Sequence, residues 1–148
     1  MNSLKMELRI IEEPLELAII GFGATAAAND YVQTALRLSG KMWPVLKENN
    51  IANEGKNIWV YAAQNFVFAG VLPMGEQTSD LLERYKVHLG RYAYCKHVGS
   101  YQQIGQTGAA MRSELLAKGL TVIAPYIEIY GHWTKDESKL ETELIMAL

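Results

Sequence analysis

One carboxylate, that of Glu128, stands inside a run of aromatic and aliphatic residues, YIEIYGHW at positions 126–133. Side chains alternate between the two faces of a β-strand, so Glu128 would share one face with Tyr126 and Tyr130, and the isoleucines would occupy the other. An unpaired buried carboxylate is unfavourable, and it tends to find a partner or to bind a proton. Glu128 is therefore either an ordinary solvent-exposed charge or the anion of a binding cleft.

A strand face that carries tyrosines and one carboxylate has the groups that bind a flat cationic ligand, because it offers stacking, cation–π attraction and charge neutralisation. Two other strand-like segments supply further aromatic side chains, NIWVYAA at 57–63 and RYAYCKHVG at 91–99. Tyrosine suits such a wall, since it presents a large rigid ring with a hydroxyl at its tip. The predicted cleft residues are Glu128, Tyr126, Tyr130, Trp59, Tyr61 and Tyr94.

The remaining reactive side chains fit structural roles. His97 lies where a strand gives way to a helix, in a stretch typical of turn and cap chemistry. Cys95 is the single cysteine, which excludes an internal disulfide, and no Cys/His set has the spacing of zinc ligands. The pair Gly21 and Gly23 lacks the third glycine and the acidic residue of a dinucleotide-binding motif. We therefore expect neither a metal nor a cofactor.

Length and composition narrow the class of protein. At 148 residues and 49% apolar content, the chain has the size of one globular domain. It carries 14 basic and 16 acidic residues without a basic cluster, which disfavours direct nucleic-acid binding. The longest apolar-leaning stretch, 15–28, contains Glu16 and two glycines, so we predict neither a signal peptide nor a membrane span. With a single cysteine, the expected location is the cytoplasm.

Hydrophobic periodicity predicts both strands and helices along the chain. The predicted elements of the first half are strands at 6–11 and 15–22, a helix from Asn29 or Asp30 to about Glu48, and a hairpin of strands at 57–63 and 65–72. Gly40 and Pro44 predict a kink in that helix. The stretch 73–85, which is polar and contains Gly and Pro, is expected to be a connector with a helical turn at 80–85.

The second half repeats this order of elements. Its predicted elements are a strand at 91–98, a helix, and strands near 126–130 and 142–146. Ser100 followed by Gln103 fits a capping box at the start of the helix, and Gly119 fits its end. Gly105 and Gly108 lower helix stability by roughly 1 kcal/mol each relative to Ala, which suggests a close backbone approach or space left for another group.

The repeated order indicates a weak internal duplication. Aligning the two aromatic strands matches Trp59 with Glu128 and Tyr61 with Tyr130. We predict a single α+β domain over the whole chain, in which two helices cover a curved antiparallel sheet with a central ligand cleft along the pseudo-twofold axis. The duplicated β-α-β-β modules would occupy about 1–75 and 86–148.

Four landmarks in the second half carry a family resemblance: GRYAYCKHVGSY, an amphipathic helix ending near Gly119, PYIEIY, and the terminal ETELIMAL. Their order and spacing resemble the GyrI-like small-molecule-binding family, which also occurs as the effector-binding domain of AraC-type and MerR-type multidrug regulators. FVFAGV at 66–71 resembles a strand of the same family. The resemblance implies a duplicated module with a central pocket, and it implies that Glu128 lies at the pocket floor and pairs with cationic aromatic ligands.

Two positions depart from the family pattern. The proline of its HxGPY element is Ser100 in this chain, and the proline often found in the final strand is absent. The first change should preserve the start of the helix, whereas the second leaves the last strand less well defined.

Three functions remain open at this stage. The leading hypothesis is a stand-alone protein that binds hydrophobic, often cationic aromatic compounds, without direct DNA binding because strand-like sequence begins within the first ten residues and leaves no room for a helix-turn-helix. Some stand-alone relatives resemble hydrolases that open strained cyclopropane rings of genotoxic natural products, and Glu128 would then position or activate water. The third is a protein that interacts with DNA gyrase, although the mild net charge gives no clear surface for a protein partner.

Overall fold

The computed structural model describes residues 6–76 and 80–148. In chain order, the elements are β1 (Arg9–Ile11), β2 (Leu15–Thr25), α1 (Tyr31–Glu48), β3 (Ile58–Tyr61), β4 (Phe66–Val71), β5 (Glu83–Leu89), β6 (Tyr92–Val98), α2 (Ile104–Ala117), β7 (Ile123–Tyr130) and β8 (Glu141–Ala147). The predicted α+β class is confirmed. Within the described residues, no helix is long and apolar enough to cross a membrane.

All eight strands join one antiparallel sheet in the order β1-β6-β8-β7-β3-β4-β2-β5. The order is symmetric about the β7–β3 pair, since β6, β8 and β7 on one side correspond to β2, β4 and β3 on the other. The outermost strands are exchanged between the halves: β1 precedes β2 in the chain but pairs with β6, and β5 precedes β6 but pairs with β2. The symmetry places β3 and β7 side by side at the centre.

The two faces of the sheet have different neighbours. Side chains such as Ile58, Val60 and Ile127 lie on the face that carries neither helix, yet they are at most 1% exposed, because the curved sheet closes around them. The helices pack on the other face, where Met42 of α1 and Met111 of α2 are fully buried. The core therefore has an inner layer of strand side chains and one outer layer beneath each helix.

Helix α1 is continuous from Tyr31 to Glu48 with Pro44 in its interior, so the proline does not end the helix. Its buried residues Leu38, Met42 and Leu46 recur every four positions and pack on β2 and β4. Trp43 donates a hydrogen bond from Nε1 to the Asn57 Oδ1 at 2.8 Å and so ties the second half of the helix to the chain just before β3. These contacts hold the helix over the first half of the sheet.

Helix α2 begins differently from the predicted capping box. The side chain of Ser100 makes no capping hydrogen bond, and a 3₁₀ turn at Tyr101–Gln103 leads into the helix. His97 instead secures this end: its Nε2 donates to the Ser100 carbonyl at 2.9 Å, and its Nδ1 lies 2.7 Å from the Thr107 hydroxyl. The structural role predicted for His97 is confirmed. Gly119, with φ of 74°, ends the helix as predicted.

Strand β5 was not predicted. The expected helical turn at 80–85 is wrong, because Glu83–Leu89 forms a strand that pairs with β2 at the edge of the sheet. Its residues Tyr85, Val87 and Leu89 alternate inward, a short period-two pattern that follows directly on a Gly/Pro-containing stretch. Residues 77–79 of the predicted connector lie outside the described residues.

Candidate functional site

The antiparallel pairing of β3 with β7 brings the predicted aromatic strands together. Trp59 lies directly opposite Glu128, and Tyr61 lies opposite Tyr126. The repeat alignment matches Tyr61 with Tyr130 as equivalent positions of the two copies, whereas the direct cross-strand neighbour of Tyr61 is Tyr126, because antiparallel pairing runs the two strands in opposite directions. The aromatic face of both strands points to the side of the sheet that carries the helices.

Glu128 is buried at 8% exposure, and both of its carboxylate oxygens accept hydrogen bonds from tyrosines on its own strand. The Tyr126 hydroxyl donates to Oε2 at 2.7 Å, and the Tyr130 hydroxyl donates to Oε1 at 2.6 Å. Hydrogen bonds to a charged acceptor are stronger than neutral ones, and they compensate part of the loss of hydration. The two donors are neutral, so they stabilise the carboxylate without cancelling its charge.

The rings around Glu128 pack against one another and form a continuous wall. Trp59 and Tyr130 have ring centroids 4.8 Å apart, and Tyr61 stacks on Tyr126 at 5.8 Å with an interplanar angle of 18°. Trp59 also donates from Nε1 to the Ser39 hydroxyl of α1 at 2.8 Å. Aromatic pairs at these separations contribute beyond their buried area, so the wall is set before any ligand arrives.

The three tyrosines of this wall are held in their neutral form. Burial raises the pKa of Tyr126 and Tyr130, and the charge of Glu128 and the hydrogen bonds to it raise the pKa further. The pKa of Tyr61 is raised by burial and by the charge of Glu128. The Tyr61 hydroxyl is buried and has no hydrogen-bond partner among residues 6–76 and 80–148. At neutral pH, all three are therefore protonated hydroxyls.

Two lobes of one cleft meet above Glu128, between α1 and α2. Each lobe has a cavity volume of about 420 Å³. The first lobe extends toward Tyr31 and Tyr61, and the second extends toward Trp59 and Tyr130. The residues that line both lobes are Val32, Arg112, Tyr126 and Glu128. The carboxylate thus stands at the junction of two aromatic recesses.

Helix α2 contributes residues to the cleft, Gly105 and Arg112 among them, that were not among the predicted cleft residues. A Cβ added at Gly105 would meet no atom within 4 Å, so this glycine leaves space in the second lobe rather than permitting a close backbone contact. Arg112 was not predicted, although it follows Gly105 and Gly108 at helical spacing on the same face. Its guanidinium carbon lies 5.2 Å from the centroid of the Tyr126 ring. The cleft therefore contains a cation as well as an anion.

Tyr94 does not join the other predicted cleft residues. It packs with the cluster on the helix-free face of the sheet, because β6 directs Ala93 and Cys95 toward α2 and its tyrosine the opposite way. Its hydroxyl donates to Oε2 of Glu143 at 2.6 Å, and burial followed by this hydrogen bond raises the pKa of Tyr94 to about 12. The assignment of Tyr94 to the cleft wall is thus not supported.

The two other tryptophans of the chain, Trp43 and Trp133, lie away from the cleft. Trp43 contacts the loop before β3, and Trp133 is 71% exposed beyond the end of β7. Neither is among the residues that line the two lobes. The described residues contain no group of three or more His, Cys, Asp and Glu side chains that could hold a metal ion.

Comparison with known families and structures adds to this geometry. A family model described as the GyrI-like small molecule binding domain matches residues 60–148, which is more than half of the chain. No curated protein sequence matches the chain. The matched segment contains β7 and α2 but begins within β3, so Trp59 lies just outside it.

Several solved structures share the fold, and they include the following three. The C-terminal domain of EcmrR superposes with a TM-score of 0.70 at 12% identity, covering 97% of this chain and 98% of that one. A hydrolase from Listeria innocua has a TM-score of 0.57 at 14% identity, covering 98% and 93%. SAV2435, solved bound to tetraphenylphosphonium, has a TM-score of 0.56 at 14% identity, covering 97% and 93%. At these identities the likeness concerns the fold alone.

Proposed function

The chain belongs to the GyrI-like small-molecule-binding family, and we propose that it binds hydrophobic aromatic compounds, many of them cationic, in the cleft around Glu128. The observation that carries this proposal is the buried carboxylate at the junction of the two lobes. Its hydrogen-bond donors are neutral tyrosines, so they do not neutralise the carboxylate, which is itself buried. A ligand cation placed there gains an interaction that is weakly screened.

The aromatic wall supports the same ligand class. Trp59, Tyr61, Tyr126 and Tyr130 present rings on which a flat ligand can stack, and tyrosine and tryptophan faces attract cations. Each lobe, at about 420 Å³, lies within the size range of sites for small organic ligands. Tetraphenylphosphonium, the ligand in the SAV2435 structure, belongs to this chemical class and makes a suitable probe.

The single cysteine is consistent with a cytoplasmic protein. The charge of the chain indicates that its ligand is a small molecule rather than DNA. The net charge of −2 and the absence of a basic cluster in the sequence disfavour contacts with phosphates. A protein partner that responds to the bound ligand would have to contact a surface of the chain outside the cleft.

A hydrolase is the second candidate. A carboxylate that accepts hydrogen bonds from two tyrosine hydroxyls combines a base with neutral proton donors, which is the equipment of general acid–base catalysis. The Listeria innocua hydrolase of the same fold adds to this candidate. If the chain is an enzyme, it should convert a cyclopropane-containing substrate into more ring-opened product than there is protein. A binding protein would release the same compound unchanged.

Calorimetric titration of tetraphenylphosphonium into the wild type and Glu128→Gln tests the binding proposal. The neutral amide removes the charge and keeps the size, so we expect a loss of affinity of at least about tenfold. Glu143→Gln is a matched control, because Glu143 also accepts a tyrosine hydrogen bond, at 2.6 Å, on the other face of the sheet. Equal affinity of wild type and Glu128→Gln would contradict the proposal, as would the absence of binding across a panel that contains both hydrophobic aromatic monocations and zwitterions.

A further inference from the structure

The cleft is lined by one acidic and one basic side chain. Among the residues that line its two lobes, Glu128 is the acidic one and Arg112 is the basic one, and the remaining lining residues are neutral. The formal charge of the lining is therefore zero. A site that selected simple monocations would be served better by the carboxylate alone, since a nearby arginine repels any cation that approaches Glu128.

Tyr126 lies between the two charges. Its hydroxyl donates to Glu128 at 2.7 Å, and the guanidinium carbon of Arg112 lies 5.2 Å from its ring centroid. The arginine thus occupies a position over the ring that a ligand cation would otherwise take. Arg112 itself is exposed and contacts both lobes, so its donors are available to a bound molecule.

The wall opposite Arg112 offers no competing charge. Across the cleft, α1 presents Val32 and Leu36, which are 55% and 49% exposed. Beside Arg112 on α2, Gly105 leaves the second lobe open. An arginine side chain is a planar set of five donors that matches a carboxylate or a similar acceptor with two parallel hydrogen bonds.

We propose that Arg112 makes the cleft selective for zwitterionic aromatic ligands, which place a cationic part near Glu128 and an anionic or strongly accepting group against Arg112. This inference rests on the proposed function, because it concerns ligands of the same cleft. Arg112 is a specificity-determining residue in this scheme: it attracts one end of a zwitterion and disfavours a ligand that carries only positive charge.

Rhodamine B and its ethyl ester provide a matched pair of probes. The first carries a free carboxylate and is zwitterionic at neutral pH, and the second is a monocation with the same ring system. Fluorescence anisotropy titrations give the affinity of each dye for the wild type, Arg112→Gln, Arg112→Lys and, as a control, Arg37→Gln. Arg37 is an exposed arginine of α1 that is not among the lining residues of the two lobes.

The wild type should prefer rhodamine B over the ester, and Arg112→Gln should reduce that preference by about tenfold, by weakening rhodamine B and strengthening the ester. Arg112→Lys should retain part of the preference, because it keeps the charge but loses the two parallel hydrogen bonds. Arg37→Gln should leave it unchanged. Far-ultraviolet circular dichroism checks that each variant is folded, and added salt should reduce the wild-type preference.

The outcomes separate the two proposals. Binding of both dyes without a wild-type preference for rhodamine B, or a preference unchanged in Arg112→Gln, would overturn the selectivity and leave the binding function intact. Binding of neither dye by the wild type would count against the proposed function and would remove the selectivity with it.

Discussion

The two central strands of the sheet, β3 and β7, occupy equivalent positions but contribute different side chains to the cleft. On its helix-facing side, β3 supplies Trp59 and Tyr61, and α1 above it supplies valine and leucine. The same side of β7 supplies Glu128, and α2 above it supplies Arg112. The backbone order is symmetric, whereas the charges all lie in one half. Both copies of the module therefore contribute rings to the wall of the cleft, but only the second contributes charged side chains to it.

The stacked pair of Tyr61 and Tyr126 shows the difference most closely. They are register partners across the centre of the sheet, with nearly parallel rings. The Tyr126 hydroxyl donates to Glu128, but that of Tyr61 is buried without a partner in the described part of the chain. Two residues of one type in related positions thus differ in whether their hydroxyl stabilises the fold.

The largest expected effect on the uncharged half of the cleft is that of Trp59→Ala. Trp59 is 8% exposed, packs on Tyr130 and donates to Ser39, so we expect the free energy of unfolding to fall by about 3–5 kcal/mol. Urea unfolding followed by circular dichroism measures it. Trp133→Ala is the control, since an exposed tryptophan should change stability by at most about 0.5 kcal/mol. A loss in Trp59→Ala as small as the one expected for Trp133→Ala would mean that Trp59 is not a structural part of the wall.

A smaller effect separates the stacked tyrosines. Tyr126→Phe removes a hydrogen bond to a carboxylate and should lower the free energy of unfolding by about 1.5–3 kcal/mol. Tyr61→Phe removes an unpaired buried hydroxyl and should raise it by about 1 kcal/mol. The same unfolding measurement applies to both. Changes of opposite sign in the free energy of unfolding would support the difference between the two tyrosines. A loss in Tyr61→Phe equal to that in Tyr126→Phe would contradict it.

The smallest expected effect compares one glycine from each helix. A Cβ at Gly40 of α1 or at Gly105 of α2 meets no atom within 4 Å, so alanine should stabilise the fold by about 0.5–1 kcal/mol at either site. Thermal unfolding of the two variants measures this. Destabilisation by Gly105→Ala alone would show that α2 needs this glycine for its backbone, in contrast to the open space that the structure indicates.

Local patterns predicted the part of the site that lies on one strand. Alternation in YIEIY places Tyr126, Glu128 and Tyr130 on one face, and strand geometry enforces that result whatever the strand packs against. The neighbouring position of Trp59 followed from the internal repeat. Strand boundaries were close for β2, β4 and β8, where apolar runs are long and the neighbouring turns are clear.

Longer-range relations were not accessible in the same way. Tyr94 was grouped with the cleft because its strand is aromatic, but the face it occupies is decided by the pairing of β6 with β1 and β8. Arg112 was passed over because an exposed arginine on an amphipathic helix is ordinarily a solvated charge. Its significance comes from Tyr126, which is 14 positions away in the chain and beneath it in the fold.

The exchange of β1 and β5 between the halves has a consequence for when the cleft can exist. Each outermost strand completes the hydrogen bonding of the opposite half, so a half on its own would expose a strand edge that the whole chain covers. Glu128 and Trp59 lie opposite each other where the two halves meet, in the pairing of β3 with β7. The proposed binding cleft therefore forms only when both halves have folded onto each other.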